Sequence, residues 1–111
     1  MTISYTDFEQ VDIRVGRILT AEFNAKAHKP AYVLTIDFGA EVGIRTSSAQ
    51  LTVHYTAEQL AGRQVIAVVN FEPRRIAGVK SEVLVLGVPD ENGDVVLLEP
   101  TRPVPEGVRM F

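Results

Sequence analysis

Apolar and polar positions alternate with a period of two over most of the chain, and that period predicts strands. Val11, Ile13 and Val15 are separated by Asp12 and Arg14; the apolar phase then slips at Gly16 and resumes at Ile18. A slip at glycine predicts a bulge or a barrel corner in a curled strand. Tyr32, Leu34, Ile36 and Phe38 alternate with Ala31, Val33, Thr35 and Asp37, and Gly39 is expected to end that strand. Residues 43–48 read as a weaker third strand. Residues 64–70 and 82–88 are apolar on both faces, and Asp90 to Gly93 form a hairpin turn into residues 95–99. Two capping-box patterns stand out. Thr6 with Glu9 predicts about one helical turn over residues 7–10, and Thr56 with Gln59 opens a helix over 57–61, with Gly62 just past its end. Pro100, Pro103 and Pro105 make the tail extended or looped.

The resulting order is three strands, a short helix and two strands, with an N-terminal helical turn and a C-terminal hairpin and tail. This predicts an all-β domain spanning residues 1–111, an OB-fold: a five-stranded, partly open barrel. A β-sandwich competes, but uneven turn spacing and the mid-chain helix count against it. Strands with two apolar faces need cover on both. A second copy could supply it, so a homodimer is expected, with the tail and the 83–98 hairpin near the interface.

At 111 residues the chain is the size of one domain with one core. Its longest apolar runs, Val65–Val69 and Val83–Val88, fall far short of the roughly 20 residues of a membrane span. No secretion signal opens it, and there is no cysteine, which excludes disulfides, thiolate metal sites and cysteine nucleophiles. A cytoplasmic location is expected. His28 and His54 fall in no metal-ligand spacing, Gly78 to Ser81 lacks the glycines of a phosphate loop, and Ser47 and Ser48 lack a nucleophile elbow. These readings predict no enzyme, no cofactor and no metal. The net charge of −3 argues against nucleic acid when read alone. The acidity is local: residues 1–80 carry nine basic and eight acidic side chains, residues 81–111 two and six.

The densest polar cluster runs from Asn70 to Glu82, between two apolar strands. One reading is a solvated surface loop. The other is a basic loop over a barrel mouth, in which Arg74, Arg75 and Lys80 hold phosphates while Asn70 and Ser81 add neutral hydrogen bonds. Arg45, Ser47, Ser48 and Gln50 lie on or after the third strand, part of the usual ligand face of this barrel, and are expected to face solvent or ligand. Lys26, His28 and Lys29 lie in the loop before the second strand, and Lys29 is taken as a contact; Arg14 alternates outward and is taken as another. Aromatics are only 7%, and Phe71 is the one exposed candidate in the basic loop. Recognition of a folded RNA by shape and phosphate therefore fits better than stacking along a single strand.

Asp12-Ile-Arg-Val-Gly16, Ile36-Asp-Phe-Gly39, Arg45-Thr-Ser-Ser-Ala-Gln50 and Asn70-Phe-Glu-Pro-Arg-Arg-Ile-Ala-Gly-Val-Lys-Ser-Glu-Val-Leu-Val-Leu-Gly87 together cover most of the chain. They resemble the stand-alone tRNA-binding domain of CsaA type, which is also appended to some methionyl-tRNA synthetases. The resemblance implies an OB-fold homodimer that binds tRNA without catalysis. It also implies an alternative role, an export-related chaperone of unfolded or precursor peptides, for which Phe71, Ile76 and Val79 would form an apolar rim. Asn70, Arg74, Arg75, Lys80, Ser81 and Glu82 fall on the family's most characteristic stretch. Arg45, Ser47, Ser48 and Gln50 fall on its third strand, and Asp12, Arg14 and Gly16 on its first. The loop Ala27–Ala31 is shorter than in synthetase-appended members, which bears on affinity for tRNA.

Overall fold

The computed structural model describes residues 1–111. Helix α1 (Tyr5–Glu9) precedes strand β1 (Ile13–Phe23), β2 (Tyr32–Asp37), a one-turn helix α2 (Gly39–Val42) and β3 (Ile44–Ala49). Helix α3 (Ala57–Leu60), β4 (Gln64–Val68), and the short strands β5 (Arg74–Ile76), β6 (Val79–Ser81), β7 (Leu84–Val85), β8 (Gly87–Pro89) and β9 (Val95–Leu97) follow. The main antiparallel sheet has the order β3-β2-β1-β4-β7 and curls into a nearly closed barrel of OB type. The last gap, between β3 and the 80–83 segment, is bridged partly by side chains. Glu82 donates its amide to Thr46 O, Thr46 N donates to Glu82 Oε1, Ser48 N donates to Ser81 Oγ, and Ser47 Oγ donates to Val83 O.

The alternation in β2 is realised: Tyr32, Leu34, Ile36 and Phe38 are all buried and join Ile18, Leu51, Leu60, Val65 and Val83 in the core. Each large apolar side chain so enclosed contributes about 1.5–3 kcal/mol of burial free energy. β1 is long enough to serve two neighbours, pairing with β4 through Ile13–Arg17 and with β2 through Arg17–Phe23. At Gly16 the buried phase does slip, and a Cβ there would lie 2.6 Å from both Ile36 Cγ2 and Phe38 Cε1. The ladder irregularity itself falls slightly later, where Leu19 is left out of register.

Several expectations are corrected. α1 is capped by Ser4 and Asp7, each accepting the other's backbone N–H at 3.1 Å, so the helix starts before Thr6. Asp7 does at close range what Glu9 was expected to do. β2 ends at Asp37, just before Gly39 as expected, and Gly39 then opens α2, its amide bonded to Asp37 Oδ1. Residues 82–88 do not make one strand: Leu84 and Val85 pair with β4, Leu86 N still donates to Ile66 O, and from Gly87 the chain starts the β8–β9 hairpin. The α3 capping box forms as expected, between Thr56 and Gln59.

The proline-rich tail docks on the barrel's own β1. Gly107 N donates to Val15 O, Val15 N to Val108 O and Met110 N to Ile13 O, so the tail covers the edge that β2 abandons. Gln64 on β4 is likewise covered from within, exchanging two hydrogen bonds with the Val104 backbone. Part of the outer cover expected from a second copy therefore comes from the same chain.

The β8–β9 turn is tied by Asp90, whose Oδ1 accepts the amides of Asn92 and Asp94 and whose Oδ2 meets His54 Nε2 at 2.7 Å. The Asp94 amide, followed by His54, holds the Asp90 carboxyl below its ordinary pKa. A lowered pKa means that the native state favours the charged form, so its contribution is complete at neutral pH and is lost as pH falls through the folded value. The protection factors of the Asn92 and Asp94 amides, taken against their intrinsic exchange rates, should therefore fall in acid below the ordinary carboxylate range. Asp90→Asn should flatten that dependence; an unchanged profile would remove Asp90 as its cause.

Candidate nucleic-acid interface

The stretch from Asn70 to Glu82 is a hairpin and not an open loop. β5 pairs with β6 in the register Arg74↔Ser81, Arg75↔Lys80, Ile76↔Val79. The two-residue turn, Ala77-Gly78, has positive φ at both positions, +49° and +82°. That is what a tight hairpin with the right-handed strand twist demands.

Pairing sorts the side chains, because successive residues of a strand point to opposite faces. Arg74, Ile76 and Ser81 look into a groove of about 530 Å³ between the hairpin, β3 and β7, which Ser48, Phe71, Pro73, Glu82 and Leu84 also line. Arg75 and Lys80 are cross-strand partners on the opposite face. The expected basic loop is thus two surfaces: one half-apolar groove with a single guanidinium, and one purely cationic outer face.

Charge pairing separates these cations from the rest. Arg14, Arg17, Arg63 and Arg109 each meet a carboxylate. The other seven of the 11 Lys and Arg have no ion-pair partner. Six of those seven, all but Arg102, lie in the β1–β2 loop (Lys26, Lys29), on β3 (Arg45) or on the hairpin (Arg74, Arg75, Lys80). Surface cations left unpaired on one side raise the local positive potential even when the whole molecule is acidic.

Not every expected site residue is free to bind. Arg14 is mostly buried; its guanidinium is bonded to both Asp12 oxygens and to Gly107 O, and the Asp12 bond raises its pKa. It braces the tail and does not face outward to a ligand. Ser47, expected at the surface, is 1% exposed and donates to Val83 O. Asn70 joins the hairpin base to the N-terminus, accepting from Asp12 N and donating to Gln10 O. Glu82 accepts from Thr46 N and Thr46 Oγ1. Ser81 spends a lone pair on Ser48 N, which leaves its hydroxyl hydrogen available in the groove. Gln50, Lys29, Arg74, Arg75 and Lys80 are exposed. Arg45 is half-buried with its Nε on Val42 O, and Val79 is half-buried outside the groove lining. Leu84, which the strand reading assigned to packing, is half exposed across the groove. His54, Asp90 and Asp94 bring ligand atoms within 4.8 Å of one another, but the bonds of the turn described above account for that arrangement.

Comparison with known proteins places the whole chain beside relatives of known family. Residues 13–109 match the family model described as "Putative tRNA binding domain". The chain is 40% identical over 105 residues to the methionine–tRNA ligase of Methanothrix thermoacetophila and 35% identical over 108 residues to that of Pyrococcus furiosus. It covers 95% and 97% of itself in these matches but only 15% and 14% of those enzymes' length. Among solved structures, the chaperone CsaA of Bacillus anthracis is 49% identical, with a TM-score of 0.93 and full coverage of both chains. The CsaA chaperone protein of Picrophilus torridus is 44% identical, with a TM-score of 0.92 over 99% of this chain and 100% of that one. With a family model covering nearly the whole barrel and tail, the chain belongs to the tRNA-binding domain family.

Proposed function

We propose that this protein binds tRNA without catalysis, by phosphate and shape recognition centred on the β5–β6 hairpin. The observation that carries the reading is the gathering of six unpaired cations at the hairpin, β3 and the β1–β2 loop, while of the five elsewhere all but Arg102 meet a carboxylate. Guanidinium forks suit phosphate oxygens, and Arg74 and Arg75 are exposed in a chain of the tRNA-binding domain family. The appended position of the matching segment in methionine–tRNA ligases supports a binding role and not a catalytic one.

A second reading rests on the groove. Phe71, Ile76 and Leu84 are 56%, 40% and 50% exposed along it, an apolar surface that an extended peptide would cover. Two of the solved relatives are named chaperones. The two activities share one hairpin: Arg75 and Lys80 lie on its outer face, while Arg74 lines the same groove as the apolar side chains. We also propose a homodimer, since Val88, Val96 and Leu98 on or beside the C-terminal hairpin are 48%, 38% and 37% exposed. Light scattering at micromolar concentration should give twice the chain mass of 12.2 kDa. A monomer mass would remove that part. No helix is long and apolar enough to cross a membrane, and we place the protein in the cytoplasm.

The test is equilibrium binding of labelled bulk tRNA across a salt series, with an unstructured oligonucleotide and an extended apolar peptide in parallel. Preference for tRNA with a steep salt dependence is expected, each phosphate contact adding about 0.9 to the slope on a duplex. Absence of tRNA binding at low salt, with peptide binding retained and insensitive to salt, would replace the first reading by the second.

A further inference from the structure

The β1–β2 loop touches the tip of the hairpin. Asn24, at the loop's start, is 8% exposed, and its Nδ2 donates to Ala77 O at 3.3 Å. Its other groups hold the loop itself: Oδ1 accepts from Lys26 N, the backbone N–H donates to Ala31 O, and the carbonyl accepts from Ala27 N. Ala77 is the only non-glycine residue with positive φ, a conformation that costs a residue bearing a Cβ roughly 1 kcal/mol or more. The Asn24 bond falls on the carbonyl of that residue, so a buried amide holds the turn in the geometry it would least readily keep alone.

This contact also sets the position of a cation. The Lys26 side chain runs beside Gly78: a Cβ built there would lie 3.5 Å from Lys26 Cδ and 3.8 Å from its Nζ. From the hairpin, Arg75 Nη1 reaches Gly78 O at 3.4 Å. Two cations from separate segments therefore converge on one glycine, with Lys80 beside Arg75 across the strand pair. Like charges gathered at one turn repel, and none of the three has an ion-pair partner. An arrangement of this kind is relieved by an anion.

We propose that Lys26, Arg75 and Lys80 form a phosphodiester-binding site on the outer face of the hairpin, and that Asn24 is its positioning residue. The proposal rests on the nucleic-acid reading and adds to it a second segment of chain and a geometry.

It is tested on the full chain with labelled bulk tRNA, from the slope of log K against log salt concentration. Lys26→Ala should reduce the slope by about one, and Lys26→Arg should restore it. Asn24→Ala should shift the slope in the same direction although it removes no charge, because the hairpin tip no longer presents Arg75 to Lys26. Loss of fold alone would not change a slope measured on the folded fraction, and heat unfolding of each variant checks that fraction. Arg102→Ala is the control, an unpaired cation in a tail pocket with Arg17 and Arg63, and should leave the slope unchanged. A wild-type slope in Lys26→Ala would overturn the site, and a wild-type slope in Asn24→Ala would overturn the positioning role. Wild-type protein that binds no tRNA would instead remove the parent reading, and this proposal with it.

Discussion

Gly107→Ala should lower the melting temperature by about 10–15 °C. A Cβ on Gly107 would lie 2.2 Å from Phe38 O, which is backbone and cannot swing away, and the residue sits at φ +92°. Overpacking costs about 1–3 kcal/mol and left-handed backbone about 1–2 kcal/mol more, which for a domain this size gives a shift of that order. The crossing is tight from both sides, since a Cβ on Gly39 would lie 2.6 Å from Glu106 O. Forcing the two backbones apart undocks the tail, with the loss of the Gly107 and Met110 bonds to β1 and of the Arg14 bond to Gly107 O. Gly93→Ala is the comparison: φ is +85° but nothing lies within 4 Å, so only the backbone cost applies. Calorimetry that finds the two variants within a few degrees of each other would show that the tail does not dock as described.

The largest functional effect is expected from removing Arg74, Arg75 and Lys80 together by alanine substitution. All three are exposed and carry no ion pair, so the melting temperature should stay within a few degrees of wild type. If each contacts a phosphate, the salt slope falls by about two to three and the affinity for tRNA at 0.1 M salt by on the order of a hundredfold. Filter binding or fluorescence titration reads both. A variant that keeps the wild-type slope would move the RNA contact away from the hairpin, whichever face of it is considered.

How far these features were legible in the sequence follows from how local their partners are. The Thr56–Gln59 cap was readable because both halves lie within four residues and nothing distant competes. The β2 alternation was readable because one face of that strand is wholly core. Ser47 was not: a serine in a polar run looks like surface, and the Val83 carbonyl that buries it lies 36 positions away. Arg14 was misplaced for the same reason, since alternation puts it outward but the tail returns to cover it 93 positions later. The hairpin was hidden by Ala77, because the usual signal for such a turn is Asn-Gly or Asp-Gly. What held that unlikely turn, the Asn24 amide, lies 53 positions upstream.

The seam between β3 and the 80–83 segment has a consequence for motion. Most of the sheet is joined by continuous backbone ladders, but here three of the four bonds described above use the side chain of Thr46's partner Glu82, of Ser81 or of Ser47. Side-chain bonds have more torsional freedom than a ladder, and units so joined open locally at a fraction of the global free energy. The barrel is thus built like a cuff with a soft closure. The groove lies beside that closure, so amide exchange at Thr46, Ser48 and Glu82 should be faster than along the β1–β2 and β1–β4 ladders.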